Sequence, residues 1–487
     1  MDTGIKKLSV KEKVGYGLGD SAANFVFQTM IVLQLIFYTD TFGISAAAAG
    51  TLLLVARLWD AITDPVIGVL ADRTNTRWGK FRPWIIATAI PFGVMAYLTF
   101  STPDLSYKGK LIYAYITYMI MMLIYSANNL PYSALSGVMT GNMAERTSLS
   151  SFRFVFAIAA AFVVQVFALP LVDKLGQGDD ALGFRLTIGF FGILAAIFFA
   201  ITFFTTRERI KPDPEQKTNL KQDLKDLSKN VPWAIMFAVT LLVFINLSMR
   251  GSVMLYYFRN YLDPASMVQS LQSLGMTRLF PNMDSVTLGF SVFNGASQAI
   301  TIVGILFSKM LAMRFGKRNV FIGGMGMAGL LMLLFGLLPP QAFMAALLMQ
   351  VLISLSWGFT VPLLWAMMAD VADYSEWKNH RRATGMIFSA IVFGLKAGLG
   401  FGGALAGYFL ALYGYEANVV QTQEAILGIR LTASLYPAIF FLIAVVLLFF
   451  YRIDKPMELK LEKELAERRK KYQDLPMLDA LGLPTLK

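Results

Sequence analysis

Residues 52–71 read LLLVARLWDAITDPVIGVLA, a run of largely apolar residues that contains the two acids Asp60 and Asp64. A helix of about 20 apolar residues spans the hydrocarbon core of a bilayer. The i, i+4 spacing places both carboxylates on one helix face. An acid at that depth costs about 2.5–3.5 kcal/mol on insertion scales, and neighbouring anions repel each other. The pair therefore predicts a site for a proton or a monovalent metal cation.

The composition of the whole chain agrees with a membrane location. Of 487 residues, 56% are hydrophobic and 15% are charged, whereas soluble domains carry about 25% charged residues. The apolar runs are long enough for helices and too long for the strands of a membrane barrel. We predict an all-α membrane protein with twelve transmembrane helices, at residues 14–39, 45–71, 83–102, 111–138, 151–172, 184–205, 232–258, 285–309, 320–338, 341–369, 385–412 and 428–451.

The positive charges are distributed unevenly between the two faces of this predicted bundle. The formal net charge is +12, and 32 of the 43 Lys and Arg residues fall on the side of the N-terminus, seven on the other side and four within spans. Cytoplasmic loops carry such an excess. We therefore expect a plasma membrane protein, in the inner membrane of a bacterium, with both termini cytoplasmic. The basic excess orients the chain in the lipid bilayer and does not indicate nucleic acid.

A polar linker and a repeated motif divide the chain into two halves. Arg77–Lys80 reads RWGK after the second span, and Arg314–Lys317 reads RFGK after the eighth. Such a repeat places a substrate site between two pseudo-symmetric six-helix bundles. The predicted units are an N-terminal bundle, a cytoplasmic linker, a C-terminal bundle and a cytoplasmic tail, at residues 1–205, 206–231, 232–451 and 452–487.

Polar side chains recur on several spans. Asp20, Asn24 and Gln28 follow one another every four residues, and Tyr125 shares a helix face with Asn129, close to the helix-breaking Pro131. Such a stripe faces protein or a water-filled cavity and not lipid. Its mixture of amides, a carboxylate and hydroxyls suits a sugar-sized polar ligand. Packing contacts between helices are the alternative explanation.

Isolated cations stand in the fifth, seventh and eleventh spans. We expect Lys396, which lies among glycines, to face Asp60 or Asp64. Arg153 is an isolated cation of the fifth span. We expect Arg250, in the seventh span, to meet an anionic substrate, to pair within the protein or to extend to the membrane interface. Structural ion pairs with Arg57 or Lys396 are the alternative to a cation site at the two acids. The chain has no cysteine and therefore no thiolate metal site.

The segment that follows the second span resembles the loop signature of the major facilitator superfamily. It reads Gly68-x-x-x-Asp72-Arg73-x-x-x-Arg77. An acid and two bases at helix ends can latch neighbouring helices on the cytoplasmic side. We therefore predict that Asp72, Arg73 and Arg77 form part of a cytoplasmic gate in a major facilitator fold.

Four segments resemble the glycoside–pentoside–hexuronide:cation symporters, namely Arg57–Pro65, Arg77–Lys80, Tyr125–Pro131 and Ala369–Tyr374. The resemblance implies that Na⁺, Li⁺ or H⁺ binds at Asp60, Asp64, Thr63 and Ser126, with Lys396 within reach of the two acids. It implies that the sugar pocket is lined by Asn24, Tyr125, Asn129 and Arg153. It also implies that three cytoplasmic acids pair with basic residues when the carrier faces outward, namely Asp370, Asp373 and Glu376.

Departures from this family leave the sugar open. The melibiose permeases carry aspartates at the positions of Asn24 and Asn129 and a tryptophan at that of Ser133. Because this chain lacks those two aspartates and carries Arg250, its substrate could be an acidic sugar such as a uronide as well as a neutral glycoside or a pentoside. Asp20 and Arg250 complete the predicted substrate residues.

The resulting prediction is a secondary active importer that needs no cofactor beyond its coupling ion and works as a monomer. It is not an enzyme, because the chain offers no recognisable nucleophile and base or metal cluster. A cation-dependent lysolipid transporter is the alternative function, although it needs a long apolar cleft. A non-transporting membrane sensor is the other alternative.

Overall fold

The computed structural model describes residues 8–140, 143–209, 229–281, 283–379, 384–461, 463–465 and 467. Helices account for almost all of this part of the chain. It contains no β-strand, and one isolated bridge joins Thr76 to Gly79 in the loop after the second helix. The all-α prediction is therefore confirmed.

The helices follow the predicted spans closely. The first half contains α1 to α6, at Val10–Ile36, Ala46–Arg73, Arg82–Thr99, Tyr107–Met139, Met143–Gly176 and Asp180–Thr205. The second half contains α7 to α16, at Val231–Asn260, Pro264–Ser273, Met276–Leu279, Ser285–Phe315, Lys317–Phe335, Phe343–Gly358, Val361–Asn379, Thr384–Leu412, Gln423–Ala433 and Leu435–Phe449. A short π-helical segment, Phe37–Thr41, extends α1.

Two predicted spans are each built from a pair of helices. The tenth changes from α12 to α13 at Phe359 and Thr360, directly before Pro362, and the twelfth changes from α15 to α16 at Ser434. The N–H groups in the first turn of a helix have no acceptor within the helix, so a proline there loses no hydrogen bond. Pro362 therefore favours the start of a new helix. Within the described residues, ten segments are long and apolar enough to cross a membrane, so the number twelve stays a prediction.

One local expectation differs from the structure. Pro131 does not break its helix, because α4 continues through it to Met139; neighbouring helices tolerate the lost hydrogen bond. The hydrophilic stretch 260–284, between the seventh and eighth predicted spans, contains α8 and α9. The first of these is capped by Asp263, whose carboxylate accepts the N–H of Ser266.

The two halves pack along three main seams, in which α1 contacts α7, α2 contacts α14 and α5 contacts α10. We call the end of the bundle that carries Arg77–Lys80 and Arg314–Lys317 the basic end, and the end that carries Asp40 and Tyr415 the far end. Short connections make successive membrane helices alternate between these ends.

The two halves repeat one contact at the basic end. Arg82 Nη2 donates to the carbonyl of Phe203 at 2.6 Å, and Arg318 Nη2 donates to the carbonyl of Phe449 at 2.7 Å. Each arginine lies at the start of the helix that forms the third predicted span of its half, and it binds a carbonyl near the end of the sixth span. Orphan carbonyls at helix ends need such donors. This contact follows the internal repeat of the two loop motifs.

Glu208 binds the start of α3. Its carboxylate accepts the backbone N–H groups of Lys80, Phe81 and Arg82 at 2.8, 2.7 and 3.0 Å. Gly79 makes room for it, since a Cβ on this residue, whose φ is +110°, would stand 2.5 Å from the carboxylate. Charge-assisted bonds to a helix N-terminus are stronger than neutral ones. Glu208 thus ties the end of the first half to its second loop.

We expect Glu208→Ala to lower the free energy of unfolding by about 1–2 kcal/mol, the usual cost of losing a helix cap. Chemical unfolding of the protein in detergent, followed by circular dichroism, measures this change. Glu424→Ala is the matched control, because Glu424 also lies in the first turn of a helix but is exposed; we expect it to change stability by less than about 0.5 kcal/mol. Equal effects of the two substitutions would contradict the capping role.

Candidate functional site

A cavity of about 600 Å³ lies between the two halves, near the middle of the bundle. Its walls come from α1, α2, α4 and α5 in the first half and from α7 and α10 to α14 in the second. All seven residues predicted to bind substrate line this cavity, namely Asp20, Asn24, Tyr125, Asn129, Arg153, Arg250 and Lys396. The polar pattern of the sequence and the family resemblance together therefore selected side chains that the fold brings to one place.

The first-half wall is a connected polar stripe. Arg153 Nε binds Asp20 Oδ2 at 3.1 Å, and its guanidinium lies 5.3 Å from the ring centre of Tyr132. The Asn24 amide donates to the Asp20 carbonyl at 2.8 Å and accepts from Gln28 at 3.3 Å. Because Asp20 and Arg153 neutralise each other, this wall offers amides and a neutral ion pair to a ligand.

Aromatic rings add flat apolar surface beside this stripe. Tyr125 stacks on Phe27 with ring centres 5.4 Å apart, and Trp357 and Trp365 line the opposite wall. Aromatic faces pack well against the C–H groups of a ring-shaped ligand, and amides bind its hydroxyls. The cavity is therefore suited to a polar ring-shaped molecule.

The second-half wall is organised by Arg250, which is only 8% exposed. Its Nη1 donates to Gln350 Oε1 at 2.6 Å and its Nε donates to the carbonyl of Ala433 at 3.1 Å. Gln350 in turn donates to Ser297 at 2.9 Å. Arg250 Nη2 has no hydrogen-bond partner within the described part of the chain. The arginine is therefore held in place with one donor free.

Most polar residues of this second-half wall were not predicted from the sequence. The missed residues are Asn246, Asn294, Ser297, Gln298, Gln350 and Ser354. A signal was available on α10, where Asn294, Ser297, Gln298 and Thr301 follow helical spacing in the same way as the stripe on α1. Polar stripes on both halves thus mark the walls of the cavity.

The two acids of the opening stretch lie behind the cavity wall, each beside a cation. Asp60, 1% exposed, accepts a bond from Arg57 Nη1 at 3.1 Å. Asp64 accepts a bond from Lys396 Nζ. Arg57 and Lys396 line the cavity, so these two cations stand between the acids and the ligand space. The ion pairs considered as the structural alternative are therefore present.

Three oxygen atoms of the residues predicted to bind the cation take no part in these ion pairs. Asp60 Oδ1, Asp64 Oδ1 and Ser126 Oγ are buried and have no hydrogen-bond partner in the described structure. Ser126 stands on α4, which packs against α2. The Thr63 hydroxyl donates to the carbonyl of Trp59 at 3.0 Å and keeps lone pairs as an acceptor. Buried acceptors without partners are costly, and oxygen ligands of this kind suit a hard cation or a proton.

Glycines let α14 approach α2 closely enough for the Lys396 pair to form. A Cβ on Gly400 would stand 2.0 Å from Arg57 Cγ. Nearer the far end, a Cβ on Gly407 would lie 2.4 Å from the carbonyl oxygen of Ala46 and 2.8 Å from Gly50 Cα. Small residues permit such close contact between membrane helices. The α2–α14 seam thus depends on the absence of side chains.

Polar contacts join the halves at the far end. Thr39 and Tyr256 share a hydroxyl–hydroxyl bond of 2.6 Å, and Asp40 Oδ1 accepts from the Tyr415 hydroxyl at 2.8 Å. Thr287 donates to Asp173 at 2.5 Å. These contacts close the cavity on this side. Asp64 and Lys396 lie nearer the basic end, and their side chains are 21% and 19% exposed.

The predicted gate residues lie at the basic end. Asp370 binds Lys317 Nζ at 2.5 Å, within the second half, and Glu458 lies 3.7 Å from the same lysine. Burial raises the pKa of the Glu458 carboxyl above its usual value. Asp373 and Glu376 occupy the last turns of α13.

The first-half members of this predicted gate face solvent. Arg73 and Arg77 are exposed, and the Arg77 guanidinium lies 4.9 Å from the ring centre of Trp78. The side chain of Asp72 is outside the described part of the structure. The gate role of all these residues stays a prediction.

Known proteins resemble this chain over nearly its whole length. The family described as MFS/sugar transport protein matches residues 15–455. The chain is 38% identical to the inner membrane symporter YicJ of Escherichia coli, with 90% of this chain and 91% of the relative covered. It is 33% identical to the isoprimeverose transporter of Lactiplantibacillus pentosus, with 94% and 91% covered. The crystal structure of the nucleoside transporter NupG superposes with a TM-score of 0.61 at 16% identity, covering 90% of this chain and 98% of that one.

The family match and the sequence relatives, together with the fold, place the chain among the integral membrane transporters of the major facilitator type, here built from two helical bundles. Within that class, the chain belongs to the MFS/sugar transport protein family. The family predicted from the four segments that carry the resemblance is thereby confirmed.

Proposed function

We propose that the protein is a symporter that imports a saccharide together with Na⁺, Li⁺ or H⁺. The observation that carries this proposal is the set of three unpartnered oxygens, on Asp60, Asp64 and Ser126, directly behind a polar cavity. Its volume of about 600 Å³ lies within the usual range of about 300–1,000 Å³ for small-molecule sites. The names of YicJ and of the isoprimeverose transporter support the same assignment.

The charges at the acid pair suggest how cation and sugar are coupled. Asp60 with Arg57 and Asp64 with Lys396 form a neutral group. A cation that binds the free carboxylate oxygens competes with Lys396 for Asp64. Lys396, which lines the cavity, then becomes available to the sugar. The cation thereby improves the sugar site, and by linkage the sugar must improve the cation site equally.

The positive charges orient the proposed carrier in the membrane. With the basic end in the cytoplasm, both termini are inside and the far end is outside. The closed far end then corresponds to a state that faces the cytoplasm. One chain contains the whole path, so we propose a monomer in the inner membrane of a bacterium. A polar cavity of this kind does not favour a lysolipid, which needs a long apolar cleft.

Reciprocal binding tests the proposed function. We expect the dissociation constant of a transported saccharide to fall by about 5–150-fold when the coupling cation is saturating, the usual range of coupling between two sites. Titration calorimetry of the full chain in nanodiscs, over a panel of neutral and acidic saccharides, with and without Na⁺ at two pH values, measures this change. Saccharide affinities that are the same under all these conditions would contradict symport.

A further inference from the structure

Arg250 stands apart from the other charged groups of the cavity. Three of the cations that line it have acidic partners, since Arg153 binds Asp20, Arg57 binds Asp60 and Lys396 binds Asp64. Arg250 contacts only the neutral Gln350 and a backbone carbonyl within the described residues. The cavity and its acids therefore carry one uncompensated positive charge.

A buried cation without an anion is costly. Arg250 is 8% exposed, and its guanidinium lies 5.1 Å from the ring centre of Phe335. Hydrogen bonds to an amide and a carbonyl fix the direction of the guanidinium but do not neutralise it. Nη2 remains free, and the residue lines the cavity. Such an arrangement is prepared for an anion that accepts a charge-assisted hydrogen bond from Nη2.

We propose that Arg250 binds a carboxylate on the transported saccharide, so that the preferred substrate is a sugar acid or its glycoside. This inference rests on the proposed function and specifies its substrate class. The carboxylate lies against the second-half wall, where Asn246 supplies a further free amide oxygen for a hydroxyl. The sugar ring then reaches across to Asn24 and Asn129 on the first half. Binding through both halves lets the ligand draw them together.

Two sugars that differ in one group test this proposal. Methyl β-D-glucuronide carries a carboxylate where methyl β-D-glucoside carries a hydroxymethyl group, and the corresponding galacturonide and galactoside form a second pair. We expect the full chain in nanodiscs, with saturating Na⁺ or at low pH, to bind the acid of at least one pair about 30-fold or more tightly than its neutral partner. This factor corresponds to the lower limit for losing one partner of a buried charge pair.

Substitution of the arginine provides the second measurement. We expect Arg250→Gln to abolish the preference for the acid and Arg250→Lys to retain part of it. Arg278→Gln, which removes an exposed arginine at the far end, is the matched control and keeps the preference. Thermal unfolding in detergent shows whether each variant is folded. If Arg250→Gln does not fold, the ratio of acid to neutral affinity measured in the wild-type protein decides the test.

The outcomes separate the two proposals. Cation-dependent binding of neutral glycosides, with acids bound equally or more weakly, would overturn the carboxylate site and leave symport intact. A preference for acids that survives in folded Arg250→Gln would also overturn the site. The absence of any cation-dependent saccharide binding would overturn the proposed function itself.

Discussion

Asp60→Asn and Asp64→Asn are each expected to abolish concentrative uptake while transport down a sugar gradient persists. Each substitution removes an anion whose Oδ1 has no other partner, so the cation loses a charged ligand. Moved together with a neutral sugar, one positive charge that crosses 100 mV supplies about 2.3 kcal/mol, which sustains a sugar gradient of about 50-fold. The carboxylate of a sugar acid cancels this charge, so the concentration gradient of the cation alone then drives accumulation. Without the cation, the ratio of internal to external neutral sugar falls to one.

Uptake of labelled sugar into membrane vesicles under an imposed Na⁺ or proton gradient measures this ratio. Exchange of labelled for unlabelled sugar at equal concentrations, which needs no gradient, shows that the variant still folds and cycles. Asp104→Asn removes an exposed carboxylate in the loop between α3 and α4 and keeps wild-type accumulation. Wild-type accumulation in the Asp60→Asn/Asp64→Asn double variant would refute the cation site.

Gly407→Leu is expected to open the far end of the carrier. The new Cβ would stand 2.4 Å from the carbonyl oxygen of Ala46 and 2.9 Å from Gly50 N, and backbone atoms cannot turn aside as a side chain can. Overpacking costs about 1–3 kcal/mol, and the strain exists only while α2 and α14 are in contact. Since about 1.4 kcal/mol is a factor of ten in population, the outward-open fraction rises by about tenfold or more.

The absence of cysteine from the chain makes this opening measurable. A single cysteine at Gln28, on the cavity wall, reacts with a membrane-impermeant maleimide from outside only when the far end is open. We expect Gly407→Leu to raise that labelling rate about tenfold. Gly323→Leu places the same side chain where a Cβ meets nothing within 4 Å and leaves the rate unchanged. Equal rates in both variants would contradict a closed far end.

Local sequence pattern was sufficient for the helices and for part of the first-half wall of the cavity. Hydropathy and charge asymmetry gave the spans and the basic end, because a bilayer demands long apolar helices. Helical spacing gave the stripe of Asp20, Asn24 and Gln28, since i and i+4 share a face. The position of Lys396 among glycines indicated a close helix contact, and the structure places this lysine against Asp64.

Contacts between residues that are far apart in the sequence could not be predicted from local pattern. Asp40 looks like an ordinary polar residue at the end of a span, and only the fold brings it to Tyr415, 375 positions later in the chain. The bond of Thr39 to Tyr256 is of the same kind. Which end of the cavity is closed depends on the sum of such contacts, because two packings of one sequence differ by only a few kcal/mol.

The closed far end has a kinetic consequence for a growing cell. In the proposed orientation, a carrier that rests with its cavity open toward the cytosol meets the sugar that it has already delivered. Internal sugar rebinds to the inward-facing site and delays the return of the empty carrier. Net uptake therefore slows as the internal sugar concentration approaches the dissociation constant of that site. Product feedback of this type limits osmotic load without a separate regulatory domain, and it acts as soon as metabolism falls behind supply.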